Sequence, residues 1–90
     1  MLKIRYSSKF KKDFKAIIKR GYNIALFREV LELLAAEKNM PEKYNDHALK
    51  GDYSGHRECH ISPDWLLIYK KENDMITLTL TRTGSHSDLF

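Results

Sequence analysis

Ile76-Thr77-Leu78-Thr79-Leu80-Thr81 alternates apolar and polar side chains with a period of two, the signature of a strand with one buried face. Before it, Glu72, Asn73 and Asp74 form a polar turn, and Trp65–Lys71 is a second strand. That run is apolar on both faces, so it belongs at the centre of a sheet covered on both sides. A third strand, His56–Ile61, precedes it across Pro63 and Asp64, which completes an antiparallel meander. At the other end of the chain Leu2, Ile4 and Tyr6 alternate with Lys3 and Arg5 as a short strand. Ser7 or Ser8 can cap a helix whose stripe is Phe10, Phe14, Ile17 and Ile18. Gly21 stops that helix, and Asn23 caps a second one with Phe27, Val30, Leu31 and Leu34 on its apolar side. Residues 8–37 thus read as an antiparallel helical hairpin. The expected fold is α+β: an N-terminal strand, the hairpin, then a three-stranded antiparallel meander with the helices on one sheet face. Lys38–Gly55 is loop, and residues 1–90 form a single domain without repeats, low-complexity segments or linkers.

Composition narrows the function classes. Ninety residues, 42% of them hydrophobic, suit a folded chain with a modest core. No apolar run approaches the roughly 18 residues of a membrane span, and Lys3 and Arg5 interrupt any signal-peptide core, so a cytoplasmic protein without membrane contact is expected. One cysteine, Cys59, excludes an internal disulfide and Cys-rich zinc modules. Net charge is +4, yet residues 1–20 alone carry eight basic side chains against Asp13. A stripe of +7 beside a near-neutral body points to a polyanion or an acidic partner, unless it is only a solvated helix face.

All four histidines lie in the second half of the chain. In the strand Arg57–Ile61, Cys59 and Ile61 point one way, Glu58 and His60 the other. If the former meet the helices, Glu58 and His60 lie on the open face. Arg82 shares parity with the inward residues Ile76, Leu78 and Leu80, and a charge cannot continue a core row cheaply, so the strand emerges or bulges there. Taken singly, these residues have ordinary structural roles: a cross-strand pair, a turn cap at Asp64, an ion pair at Arg82. Zinc is not expected, because no CxxC or HxxxH spacing occurs and Cys59 and His60 face opposite ways. Together the residue types suit metal-independent, cofactor-free cleavage of RNA by its own 2′-OH. Histidine can carry protons either way near neutral pH, arginine can meet phosphate oxygens, and Trp65 or Phe90 can stack on a base.

Four segments in order carry a resemblance: Asp46-His47-Ala48-Leu49-Lys50-Gly51, Arg57-Glu58-Cys59-His60, Pro63-Asp64-Trp65-Leu66-Leu67-Ile68-Tyr69 and Arg82-Thr83-Gly84-Ser85-His86-Ser87-Asp88-Leu89-Phe90. They resemble the motifs of YafQ-type toxins of the RelE/ParE toxin–antitoxin superfamily. The resemblance implies the fold above, and a ribosome-dependent mRNA endoribonuclease that cleaves A-site codons and so inhibits translation. It implies His47, His60, Asp64 and His86 as the acid–base set, Arg82 at the scissile phosphate, and Lys50, Trp65 and Phe90 as RNA-binding residues. Which histidine is base and which is acid does not follow from the sequence; the preferred placement sets His60 with Asp64 near the nucleophile and His86 near the leaving group. The partners implied are mRNA, the ribosome with its rRNA, and a cognate antitoxin. Glu58 stands where such proteins often carry Asp, and His56 where they often carry an aromatic residue. A catalytically silent binder of RNA or antitoxin, or a gyrase-directed ParE-like toxin, is the alternative; the latter has no need of this histidine set.

Overall fold

In the computed structural model, which describes residues 1–72 and 76–90, the Leu/Thr alternation forms the strand β5 (Thr77–Gly84). Its partners are β1 (Lys3–Tyr6), β2 (His47–Ala48), β3 (Arg57–Ser62) and β4 (Trp65–Glu72), in a five-stranded sheet of order β1-β5-β4-β3-β2. Only β1 runs parallel to its neighbour, β5; the other pairings are antiparallel. The turn expected at Asn73 and Asp74 lies outside the described residues. The hairpin is α1 (Ser8–Lys19) and α2 (Ile24–Ala35), followed at the C-terminus by a single helical turn, α3 (His86–Leu89). The strand β2 and the turn α3 were not anticipated.

Local chemistry sets the helix ends. The Ser7 hydroxyl accepts the Phe10 N–H, the Asn23 side chain accepts the Ala25 N–H, and Gly21 takes a positive φ of 78° between the two helices. Phe10 and Ile17 are buried, but Ile18, one residue off that stripe, is 55% exposed. The helices cover one sheet face, where Phe10, Phe27, Val30 and Leu34 pack against Cys59, Leu67, Tyr69, Leu78 and Leu80. Leu66 and Ile68 occupy the other face beneath Leu49, Tyr53 and Leu89. β4 is therefore central and doubly covered, as its composition requires. Cys59 faces the helices, and burial pushes its thiol well above the ordinary range, which leaves it no nucleophilic role.

A bulge decides what reaches the second face. Tyr69 pairs with Leu80 and Ile68 with Arg82, so Thr81 is the extra residue. Its carbonyl accepts the Ser7 hydroxyl at 2.7 Å. Parity inverts at that point: Leu78 and Leu80 face the helices, and Arg82 sits opposite Ile68 on the other face.

Trp65 lies within the helix-side core, 1% exposed, edge-on to Tyr22 at 5.1 Å between ring centroids. Its Nε1–H donates to Thr83 Oγ1 at 2.8 Å, and that hydroxyl donates in turn to the Leu66 carbonyl at 2.7 Å. Trp65→Ala is expected to cost about 3–5 kcal/mol of unfolding free energy, measured by urea denaturation. A loss under 1 kcal/mol would contradict this burial.

Candidate active site

The strip begins at the sheet edge. Asn45, in the left-handed region at φ 45°, turns the chain from a short 3₁₀ turn at Glu42–Tyr44 into β2. Asp46 fixes that entry by accepting from Arg57 Nε at 2.6 Å and from the Tyr69 hydroxyl. Pairing β2 with β3 sets His47 opposite Glu58. The Glu58 carboxylate is 3% exposed, and one oxygen, Oε1, lies 3.4 Å from His47 Nε2 and 3.7 Å from His60 Nε2. Its other oxygen makes no hydrogen bond among the described residues. His47 Nδ1 lies 2.7 Å from the Asn45 carbonyl and must donate to it. Both His47 nitrogens thus face oxygen atoms, one of a carbonyl and one of a carboxylate. Glu58 was expected on an open, solvated face; it is instead a buried carboxylate held between two imidazoles, because the short β2 closes that edge of the sheet.

Across the sheet the register reads His47–Glu58–Ile68–Arg82. Three interstrand steps span about 14 Å. Arg82 is oriented by Asp13 of α1: Nε donates to Oδ2 at 2.6 Å and Nη2 to Oδ1 at 3.1 Å, while Oδ2 also accepts the Thr83 N–H at 3.1 Å. This pair, foremost, and to a smaller extent the Tyr53 side chain, raise the guanidinium pKa above its ordinary value. Asp13 occupies two of five N–H donors, so the fork is aimed and still has donors for a phosphate.

The tail supplies the rest. Ser85 and Asp88 form a reciprocal capping box around α3, and Arg20 grips Asp88 through Nη1 at 2.5 Å and Nη2 at 3.2 Å. Arg20 foremost, with the Ser85 N–H, holds the Asp88 carboxyl below the usual carboxylate range. Gly84 permits this fold-back, since a Cβ there would stand 3.0 Å from that of Asp88. The result presents His86 and Phe90 at the surface, their rings 5.4 Å apart, with the His86 N–H donating to Asp64 Oδ1 at 3.3 Å. Tyr53 is edge-on to Phe90 at 6.0 Å and to His56 at 5.8 Å. A concavity beside them is lined by Lys9, Lys50, Asp52, Tyr53, Leu89 and Phe90.

Of the residues singled out from sequence, His47 and His60 meet at Glu58, Arg82 shares their sheet face, and Asp64 meets His86. Asp64 was expected beside His60, but its recorded bond is to the tail, because the Pro63-Asp64 turn ends next to α3. Lys50 and Phe90 border the same concavity. Trp65 does not join them; sealed in the helix-side core, it cannot stack on a base. Sequence reasoning missed the partners: Asp13, which lies in the basic segment 69 residues from Arg82, and Tyr53, in a loop without periodicity. Among the described residues, no group of three or more His, Cys, Asp or Glu side chains is placed to hold a metal ion.

Residues 2–90 match the family described as the YafQ bacterial toxin of type II toxin–antitoxin systems. The Escherichia coli K12 protein named mRNA interferase toxin YafQ is 38% identical over 88 residues, which span 97% of this chain and 94% of that one. The crystal structure of a metal-bound toxin from Helicobacter pylori superposes with a TM-score of 0.92 at 47% identity, covering 100% of both chains. A chain of the E. coli DinJ–YafQ complex superposes with a TM-score of 0.89 at 36% identity, covering 100% of this chain and 99% of its own.

Proposed function

This chain belongs to the YafQ family of bacterial type II toxins, and from that premise we propose that it is an mRNA interferase, an endoribonuclease that cuts A-site codons on the ribosome and thereby stops translation. In this reading the 2′-oxygen attacks the adjacent phosphorus, the bond from phosphorus to the 5′-oxygen breaks, and a 2′,3′-cyclic phosphate and a 5′-hydroxyl remain. His60, beside the Glu58 carboxylate, takes the 2′-OH proton. His86, exposed at the start of α3, gives a proton to the departing oxygen, and Asp64 is its positioning residue. Arg82 meets the charge that grows on the phosphate oxygens, and His47 adds a further imidazole to the acid–base set at the β2 edge. The observation that carries the reading is the register His47–Glu58–Ile68–Arg82, which gives both partners of the strip one sheet face.

The H. pylori relative is described as metal-bound. Among the described residues of this chain no three His, Cys, Asp or Glu side chains are placed to hold a metal ion, and no step here is routed through one. An antitoxin is the expected protein partner, as DinJ is for the E. coli relative. The +7 segment would dock on ribosomal RNA or receive acidic antitoxin side chains. Among the described residues no helix is long and apolar enough to cross a membrane, and residues 1–90 would act in the cytoplasm as one domain.

Mapping mRNA 5′-ends after brief expression tests the reading, with His86→Ala beside the wild type. Clustered in-frame cuts present only in the wild type are expected. No cuts above background in the wild type would overturn it in favour of a silent binder.

A further inference from the structure

With Trp65 sealed in the core, the surface that could receive a base must lie elsewhere. The rings that line a concavity on the candidate face are Tyr53 and Phe90. Tyr53 is seated on Leu66 and Ile68 of β4, half-buried and therefore fixed, while Phe90 is 60% exposed. The two rings meet edge-on, at 76° between planes, and more than half of Phe90 stands in solvent. Lys9 from α1 and Lys50 from the loop border the same space with Asp52, and none of the three takes part in an ion pair among the described residues. Two ammonium groups beside partly exposed aromatic rings are the chemistry of single-stranded RNA binding, in which rings take bases and cations follow the backbone.

We propose that this concavity is a subsite for the nucleotide flanking the scissile phosphate: Tyr53 and Phe90 stack on its base, and Lys9 and Lys50 hold its phosphate. The subsite rests on the ribonuclease reading, because Tyr53 packs on the cluster that holds Ile68, and Ile68 is the register partner of Arg82, which meets the reacting phosphate. Tyr53 and Lys9 are then substrate-binding residues, and the N-terminal basic stripe begins at the site itself rather than on a remote face.

The test is titration of 2′-O-methyl hexaadenylate, which has no 2′-OH to attack, into the full chain, followed by NMR of the aromatic rings. Tyr53→Leu should weaken binding roughly 5- to 150-fold, the range of one lost base–aromatic stack. Tyr53→Phe should stay within about twofold, since the stacking face is kept. Lys9→Ala should reduce the slope of log affinity against log salt by about 0.7, as for one phosphate contact on a single strand. Unchanged affinity in a folded Tyr53→Leu variant would overturn the subsite. Should that variant not fold, an unchanged salt slope in Lys9→Ala and unmoved Phe90 ring resonances in the wild type would overturn it equally. Binding through Tyr53 without any mRNA cleavage would refute the ribonuclease reading and leave the subsite standing. Cleavage together with binding indifferent to Tyr53 would do the reverse.

Discussion

Replacing His86 with alanine should slow mRNA cleavage by about 10²–10⁴-fold, the usual contribution of one positioned proton donor. Stability should stay within about 0.5 kcal/mol of the wild type, because His86 is exposed and its ring meets the likewise exposed ring of Phe90. The backbone N–H that binds Asp64 survives the change. His60→Ala makes an instructive contrast. It should lower the rate on a similar scale, yet it also removes one of the two imidazoles beside a buried carboxylate. An added destabilisation of about 1–3 kcal/mol is expected for that reason. Single-turnover cleavage on programmed ribosomes, with urea denaturation of each variant, checks both. A His86→Ala protein that keeps more than about a tenth of the wild-type rate would remove that imidazole from proton transfer.

Arg82→Ala should cost about 10²–10³-fold in cleavage, in line with deletion of one donor aimed at transition-state charge. The rival explanation is structural, since Arg82 also anchors Asp13 and, through it, the Thr83 N–H. Asp13→Asn separates the two. It weakens the anchor but leaves the guanidinium in place, so a loss of under about tenfold is expected there. Arg82→Lys should recover stability toward Asp13 but little of the rate, because an ammonium cannot reproduce the planar fork. Equal losses in Arg82→Ala and Asp13→Asn would assign Arg82 to the fold alone.

Legibility in the sequence followed the range of the forces involved. The helices, the meander strands and the doubly covered Trp65–Lys71 strand follow from local periodicity, so they could be read directly. The conflict between Arg82 and its core parity foretold a bulge, which Thr81 provides. The two-residue β2 has too little length to show a period, and α3 is held by Arg20, 68 residues away from Asp88. Trp65, by default a packing residue but expected by resemblance among the RNA-binding ones, belongs to the core, because its N–H finds Thr83 and its ring finds Tyr22 only through the fold. The structure divides the candidate histidines, with His47 and His60 at Glu58 and His86 beside Asp64. That division was not legible, because the Glu58 pairing depends on β2 and the Asp64 contact on α3.

The central claim is that His60 and His86 serve an attack by the substrate's own 2′-OH across one sheet face. The measurement that tests it most directly uses ribosomes programmed with mRNA in which the A-site codon is ribose throughout or carries a single 2′-deoxyribose at the scissile nucleotide. Cleavage should be lost at the deoxy position, and the all-ribose product should end in a 2′,3′-cyclic phosphate. Cutting of the deoxy substrate at the wild-type rate would contradict the account.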